Sequence, residues 1–449
     1  MKKPLLIQRF LLAFAAIGII SSSSVFAQCS GRYFEPVFPS FISFLPVSNV
    51  GATVYGSAPD YQGVETTLDM YVFEPENDTA TKRPLIVFAF GGSFTAGAKE
   101  SPDVIRLCDY FTQMGYVTAS IKYRIGANPI DSVNMLSAVV RGVHDSKAAL
   151  RYFYKDAATT NTYRIDTNNI FMGGVSAGGL IGVHMGYMND TIGVPNWIKD
   201  IITNLTPSGN LEGESGNPGY SSKIKGIINL SACIGDTAWI GPNDPPMVSL
   251  HGDDDGTVPY CTDIINVSGS DIITVDGSAT MKLRTDHIGL KNNFYTWVGA
   301  GHVPFTDPQG LISGVNPYMD TTVRFVRNFL FEILTGNVCD EGFKKEVPWG
   351  TFCSNVIKPE AVAEVGESNV WNIFPNPSSS TITIEHSDLV KGPWNVELYN
   401  TMGQVVASHK NIGDQRISIS KNETGTGLYF VKIFGAAGEL ISGSRVIFE

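Results

Sequence analysis

The sequence predicts an α/β fold, a mostly parallel sheet with helices on both faces, followed by a small all-β, sandwich-like module. Three observations predict it. From about Val64, continuous apolar runs alternate with segments of helical spacing, as in strands buried between helix layers. After Leu334 the texture changes to short alternating strands separated by Gly and Asn turns. The chain also has 449 residues, more than one ordinary compact domain holds.

The elements follow in order. Lys2, Lys3 and Arg9 precede an apolar run from Phe10 to Ile20, then serines and Val25-Phe26-Ala27. That order is a secretory signal with cleavage after Ala27; the apolar run is too short to span a bilayer comfortably. No later segment has the unbroken apolar length of a membrane helix, so no transmembrane segment is expected after cleavage. Thr66-Leu68-Met70-Val72 alternates as a strand, and Pro84–Phe90 and Tyr116–Tyr123 are continuous apolar strands. Asp145–Tyr154 has helical spacing. Ile170-Phe171-Met172 is a short strand running into glycine, and Leu180–Met185 is helix-like. Ile224–Leu230, Met247–Leu250 and Phe294–Val298 complete the strand series. Asn189–Ser222 and Thr262–Leu290 read as irregular insertions, either lids and binding loops or plain surface decoration. Thr381–Glu385, Trp394–Tyr399, Ile417–Ile419 and Leu428–Ile433 are the strands of the C-terminal module. The expected domains are a signal peptide over 1–27, an α/β domain over 28–337, a linker over 338–368 and a β domain over 369–449.

Composition bounds the function. Apolar residues make up 43% of the chain, enough for a substantial core. A formal net charge of -11 excludes a general nucleic-acid binder, which needs clustered Lys and Arg. Six cysteines in an exported chain favour disulfides, with Cys339–Cys353 the first pairing suggested because both lie in one loop-like stretch. No CxxC or Cys/His cluster suggests zinc.

The chemistry concentrates in four places. Gly174-Val175-Ser176-Ala177-Gly178 matches GxSxG, a sharp strand-to-helix turn where side chains at the glycine positions would collide. By itself the motif is also consistent with a glycine-rich turn. A serine nucleophile needs a histidine base and an acid to hold that histidine. Val248-Ser249-Leu250-His251-Gly252 runs into Asp253-Asp254-Asp255-Gly256-Thr257-Val258-Pro259, and three consecutive aspartates also leave a calcium loop open. His302 follows Gly299-Ala300-Gly301 just past a late strand. His184 is read as helix packing and His251 as shaping its loop by hydrogen bonding. Ala89-Phe90-Gly91-Gly92-Ser93-Phe94 follows the first long strand, and its glycines let backbone N–H groups approach a substrate.

These ordered motifs, over about Val64–Leu334, resemble the α/β-hydrolase superfamily and within it the bacterial carboxylesterase and lipase branch. Ser120-Ile121-Lys122-Tyr123-Arg124 resembles the S-x-x-Y-R stretch of those enzymes. The resemblance implies Ser176 as nucleophile, His302 as general base and Asp255 as orienting acid, with Asp253 and Asp254 as fallbacks. It implies oxyanion donors at the backbone of Gly92 and Ser93, joined by Ala177. Two positions depart from the family's HGGG loop, Phe90 for its histidine and Ser93 for its third glycine. Ile373-Phe374-Pro375-Asn376-Pro377-Ser378 and the strands after it resemble a type IX secretion sorting domain; a carbohydrate-binding β-module is the alternative. This implies release from the cell or attachment to its surface, with the type IX machinery as partner.

The expected activity is a secreted serine carboxylic-ester hydrolase acting through an acyl-enzyme, with no metal or cofactor required. Feruloyl, acetyl-xylan, polyester and lipid esters are possible substrates. A prolyl-oligopeptidase-like peptidase is the rival within the same chemistry, although the chain has no repeat to build a propeller. A non-catalytic surface binding protein is the rival outside it.

Overall fold

The computed structural model describes residues 29–42, 51–189, 191, 193–206, 210–306, 316–339, 341–343, 353, 371–386, 393–400, 404–435 and 440–448. The expected signal peptide and most of the expected linker lie outside these residues. The chain divides into two compact units, 1–354 and 355–449.

The first unit is built on one eight-stranded sheet. Its strands are β1 (Thr53–Pro59), β2 (Glu65–Phe73), β3 (Arg83–Ala89), β4 (Val117–Ile121), β5 (Ile165–Val175), β6 (Gly226–Leu230), β8 (Met247–Gly252) and β11 (Asn292–Trp297), in the order β1-β2-β4-β3-β5-β6-β8-β11. From β4 to β11 all neighbours are parallel, while β1 and β2 join antiparallel at one edge. β3, β4, β6 and β8 are buried along their whole length, which is why they read as unbroken apolar runs.

Crossover helices supply the layers: α1 (Pro102–Gln113), α2 (Ser132–Ala158), α3 (Ala177–Tyr187), α4 (Asn196–Leu205), α5 (Ser278–His287) and α6 (Pro317–Thr335). The chain leaves β3 for β4 on one side and then crosses back to β5 on the other. That reversal opens a crevice at the carboxyl ends of β3 and β5, where ligands of such sheets bind. No helix among the described residues is long and apolar enough to cross a membrane.

Three expectations are corrected. Thr262–Leu290 is regular rather than irregular. It forms a hairpin of β9 (Thr262–Val267) and β10 (Ser270–Gly277) beside β7 (Cys233–Ile234), and then α5. The strand β9 has only one fully buried side chain, Val267, so its sequence carries no clear alternation. Asn189–Ser222 contains α4, whose Ile198, Ile201 and Ile202 are buried. The disulfides are Cys29–Cys339 and Cys261–Cys353, not Cys339–Cys353, while Cys108 and Cys233 are free and buried. The first bridge joins the N-terminal segment to the chain just after α6, where Phe34 packs edge-on to Phe331 and beneath Arg327. Glu341 pairs with Arg324 and Arg327 of α6, so the chain continues to pack on the first unit beyond residue 337.

The second unit holds two antiparallel sheets: β12 (Trp371–Phe374), β13 (Thr381–His386) and β16 (Arg416–Ser420), and β15 (Val405–Ile412), β14 (Trp394–Tyr399), β17 (Gly427–Phe434) and β18 (Leu440–Phe448). Alternate residues, among them Ile382, Ile384, Val396, Leu398, Val431 and Ile433, form its core around Trp394.

Candidate active site

Ser176 sits between β5 and α3, at the carboxyl edge of the sheet. Its backbone is left-handed, φ 53° and ψ −119°, a conformation an L-residue adopts only under constraint. The constraint is visible in its neighbours. A Cβ on Gly174 would lie 2.1 Å from the Gly178 carbonyl, and one on Gly178 2.1 Å from the Ala89 oxygen. The Ser176 N–H donates to the Leu230 carbonyl at 2.8 Å. The turn is therefore clamped between β3 and β6, and the hydroxyl projects where α3 begins.

His302 follows β11 and Asp255 follows β8, the last two strands of the sheet, beyond β6. The Ser176 hydroxyl lies 2.9 Å from His302 Nε2, and His302 Nδ1 lies 2.6 Å from Asp255 Oδ2. Asp255 Oδ1 accepts the backbone N–H groups of Thr257 and Val258 at 2.8 and 2.9 Å. The Asp255 side chain is fully buried while His302 is partly exposed. Burial alone would raise the Asp255 pKa, but hydrogen bonds from His251 and His302 outweigh it and hold the carboxyl well below its usual range.

The three aspartates diverge, which speaks against a shared cation. Asp253 Oδ1 accepts the Gly299 N–H at 2.6 Å, and Asp254 is exposed. Among the described residues no cluster of three or more His, Cys, Asp or Glu is arranged to hold a metal.

The loop after β3 reaches the serine at Gly91, where a Cβ would stand 3.2 Å from the Ser176 Cβ. The loop then turns tightly: Gly92, Ser93 and Phe94 all have positive φ, and the Gly92 carbonyl accepts from Thr95 and Ala96. Phe90, where HGGG loops carry histidine, stacks on Tyr123 with centroids 4.2 Å apart, and the Tyr123 hydroxyl donates to its carbonyl. The aromatic pair thus anchors the loop from below. Ala177 opens α3, so its N–H has no partner within the helix.

His184 packs within its helix as expected: Nδ1 meets the Leu180 carbonyl and Nε2 receives the Gly235 N–H. His251 does more than shape its loop. Besides the Val258 carbonyl it reaches Asp255 itself, Nε2 lying 3.0 Å from Oδ2, a contact the sequence reading missed. Its position as the last inward side chain of β8 was the available signal.

Residues 68–231 match the BD-FAE family, and residues 372–447 match the secretion system C-terminal sorting domain. No curated protein matches the chain. Solved structures of Thermogutta terrifontis esterase 2 resemble it. The apo form is 22% identical with a TM-score of 0.46, covering 66% of this chain and 98% of that one. The form phosphorylated by paraoxon gives the same values, and the propionate-bound form is 21% identical, TM-score 0.46, with coverage of 66% and 98%.

Proposed function

We propose how this chain, a secreted α/β-hydrolase esterase with a type IX sorting domain, breaks its ester: by two-step acyl transfer on Ser176. The supporting observation is the unbroken series of hydrogen bonds from Ser176 through His302 to Asp255 at a strained strand-to-helix turn. His302 Nε2 removes the Ser176 proton as the oxygen attacks the ester carbonyl carbon. Asp255 accepts the Nδ1–H, so the lone pair on Nε2 faces the serine and the imidazolium that forms is stabilised. Backbone N–H groups of Gly92, Ser93 and Ala177 hold the tetrahedral oxyanion. The imidazolium then protonates the departing alkoxide. Water, deprotonated by the same histidine, attacks the acyl-enzyme and frees the acid.

The substrates are carboxylic esters met outside the cell, consistent with the sorting domain. In the Ser176→Ala protein, hydrolysis of p-nitrophenyl acetate and covalent labelling by a fluorophosphonate should both vanish while thermal unfolding is unchanged. Near-normal turnover in that variant would refute the reading.

A further inference from the structure

The acid of the triad is held by two histidines, and only one of them touches the serine. Asp255 Oδ2 lies 2.6 Å from His302 Nδ1 and 3.0 Å from His251 Nε2. His251 is completely buried, so its contact is not shared with solvent. Its Nδ1 is 2.8 Å from the Ser278 hydroxyl at the start of α5. That hydroxyl also faces the Ala232 carbonyl at 2.9 Å and receives the Asn229 amide N–H at 3.0 Å. Asn229 in turn donates to Ser249 and accepts the Ala232 N–H, so β6, β8 and α5 all fix the ring.

The proton on Nε2 follows from what surrounds it. Both neighbours of Nε2, the Asp255 carboxylate and the Val258 carbonyl, can only accept. Nε2 therefore carries a hydrogen whichever way the Ser278 hydroxyl points. We infer that His251 is a positioning residue for the triad: it donates Nε2–H to Asp255 Oδ2, fixes the carboxylate opposite His302, and lowers that carboxylate's basicity towards His302. The inference rests on the Ser176, His302 and Asp255 reading above.

The consequence is a pH effect with a definite sign. A carboxylate sharing its oxygen with a second donor stabilises the His302 imidazolium less. Removing that donor makes Asp255 the stronger partner and favours protonated His302, so the acid limb of activity moves to higher pH. The other titratable groups around His251 and Asp255 do not supply this donor. Tyr260 meets its ring edge-on at 5.6 Å, with its hydroxyl paired to Thr296. The Cys233 thiol, from β7, is pushed well up by burial and by Asp276 and Asp255, and so stays neutral. Asp276 accepts from Thr237 and Thr262, and Asp253 from Gly299.

The test is the pH profile of kcat/KM for p-nitrophenyl acetate in the full chain. His251→Leu should move the acid-limb midpoint upward by about one unit, and His251→Gln, which keeps an N–H near the same place, should restore it. An unmoved midpoint in a folded His251→Leu protein overturns the inference, while an inactive Ser176→Ala protein shows that the triad reading survives. Retained turnover in Ser176→Ala overturns the triad reading instead. If His251→Leu does not fold, histidine ¹⁵N spectra of the unmutated protein decide. The Nε2 signal missing from His251→Gln must be that of a protonated nitrogen throughout the active pH range. An unprotonated signal overturns the inference.

Discussion

Replacing Asp255 with asparagine keeps the shape of the side chain and exchanges one oxygen for NH₂. The structure dictates which one. Oδ1 accepts two backbone N–H groups, from Thr257 and Val258, so the amide oxygen must stay on that side. The NH₂ then occupies the Oδ2 position and faces His302 Nδ1 and His251 Nε2. His302 Nδ1 has to become an acceptor, which moves the ring proton to Nε2. That nitrogen now points a hydrogen, not a lone pair, at the Ser176 hydroxyl 2.9 Å away. The general base is in the wrong tautomer and the imidazolium has lost its counter-charge. The expected loss in kcat is about 10⁴-fold, roughly 5.5 kcal/mol of transition-state stabilisation. KM should change little, because Asp255 is buried behind His302. Initial rates on p-nitrophenyl acetate, with thermal unfolding as the check on folding, measure it. A folded Asp255→Asn protein retaining more than about a tenth of wild-type kcat would refute the reasoning. Asp254→Asn is the matched control: that carboxylate is exposed and should matter by less than about twofold.

Other consequences are as direct. Gly178→Ala places a Cβ 2.1 Å from the Ala89 oxygen and should cost more than about 3 kcal/mol, read as a large fall in melting temperature. Gly182→Ala, one turn further along α3, meets nothing nearer than 3.6 Å and should stabilise by about 0.5–1 kcal/mol. Burial, with Arg124, Lys147 and Arg151 nearby, lowers the pKa of His144 to about 3. The folded state therefore binds no proton there while the unfolded state does, and stability falls as pH drops from the ordinary histidine range towards 3. From pH 7 to pH 5 the loss should be about 2 kcal/mol in denaturant titrations, and a flat response in that window refutes it. Alkylation of denatured, unreduced protein should modify two cysteines, Cys108 and Cys233, and all six after reduction, counted by mass.

What the sequence made legible is what the backbone makes obligatory. The elbow could be read because its glycines stand where Cβ atoms would overlap neighbouring backbone, and few other residues fit. Asp255 and His302 could be read because each lies just past a strand whose apolar run was plain. Harder features depend on contacts between distant segments. The Cys29–Cys339 bridge joins residues 310 apart, and no local pattern announces it. The β9–β10 hairpin hides because its side chains are mostly half-buried or exposed, leaving little alternation. His251 looked like a loop-shaping residue because its partner Ser278 is 27 positions away, in a helix that itself was not recognised.

The glycines also show why Ser176 and the loop after β3 are held as one unit. Gly173 leaves room for the Phe88 ring, Gly174 for Gly178, Gly178 for Ala89 and Phe90, and Gly91 for Ser176 itself. Three of these contacts, at Gly173, Gly178 and Gly91, join β3 or the loop after it to β5 and its turn, so the two cannot shift independently. The strain at Ser176, of order 1–3 kcal/mol, is thus borne by a largely buried interlock rather than by the serine's own hydrogen bonds. Preorganised donors stabilise a developing oxyanion only if they need not move as charge forms. Here the loop after β3 and the Ser176 hydroxyl, the donors and nucleophile proposed above, are set against the same glycine contacts. An added methyl group at Gly178 should therefore damage catalysis through both partners at once, and should lower kcat even in whatever fraction of the protein still folds.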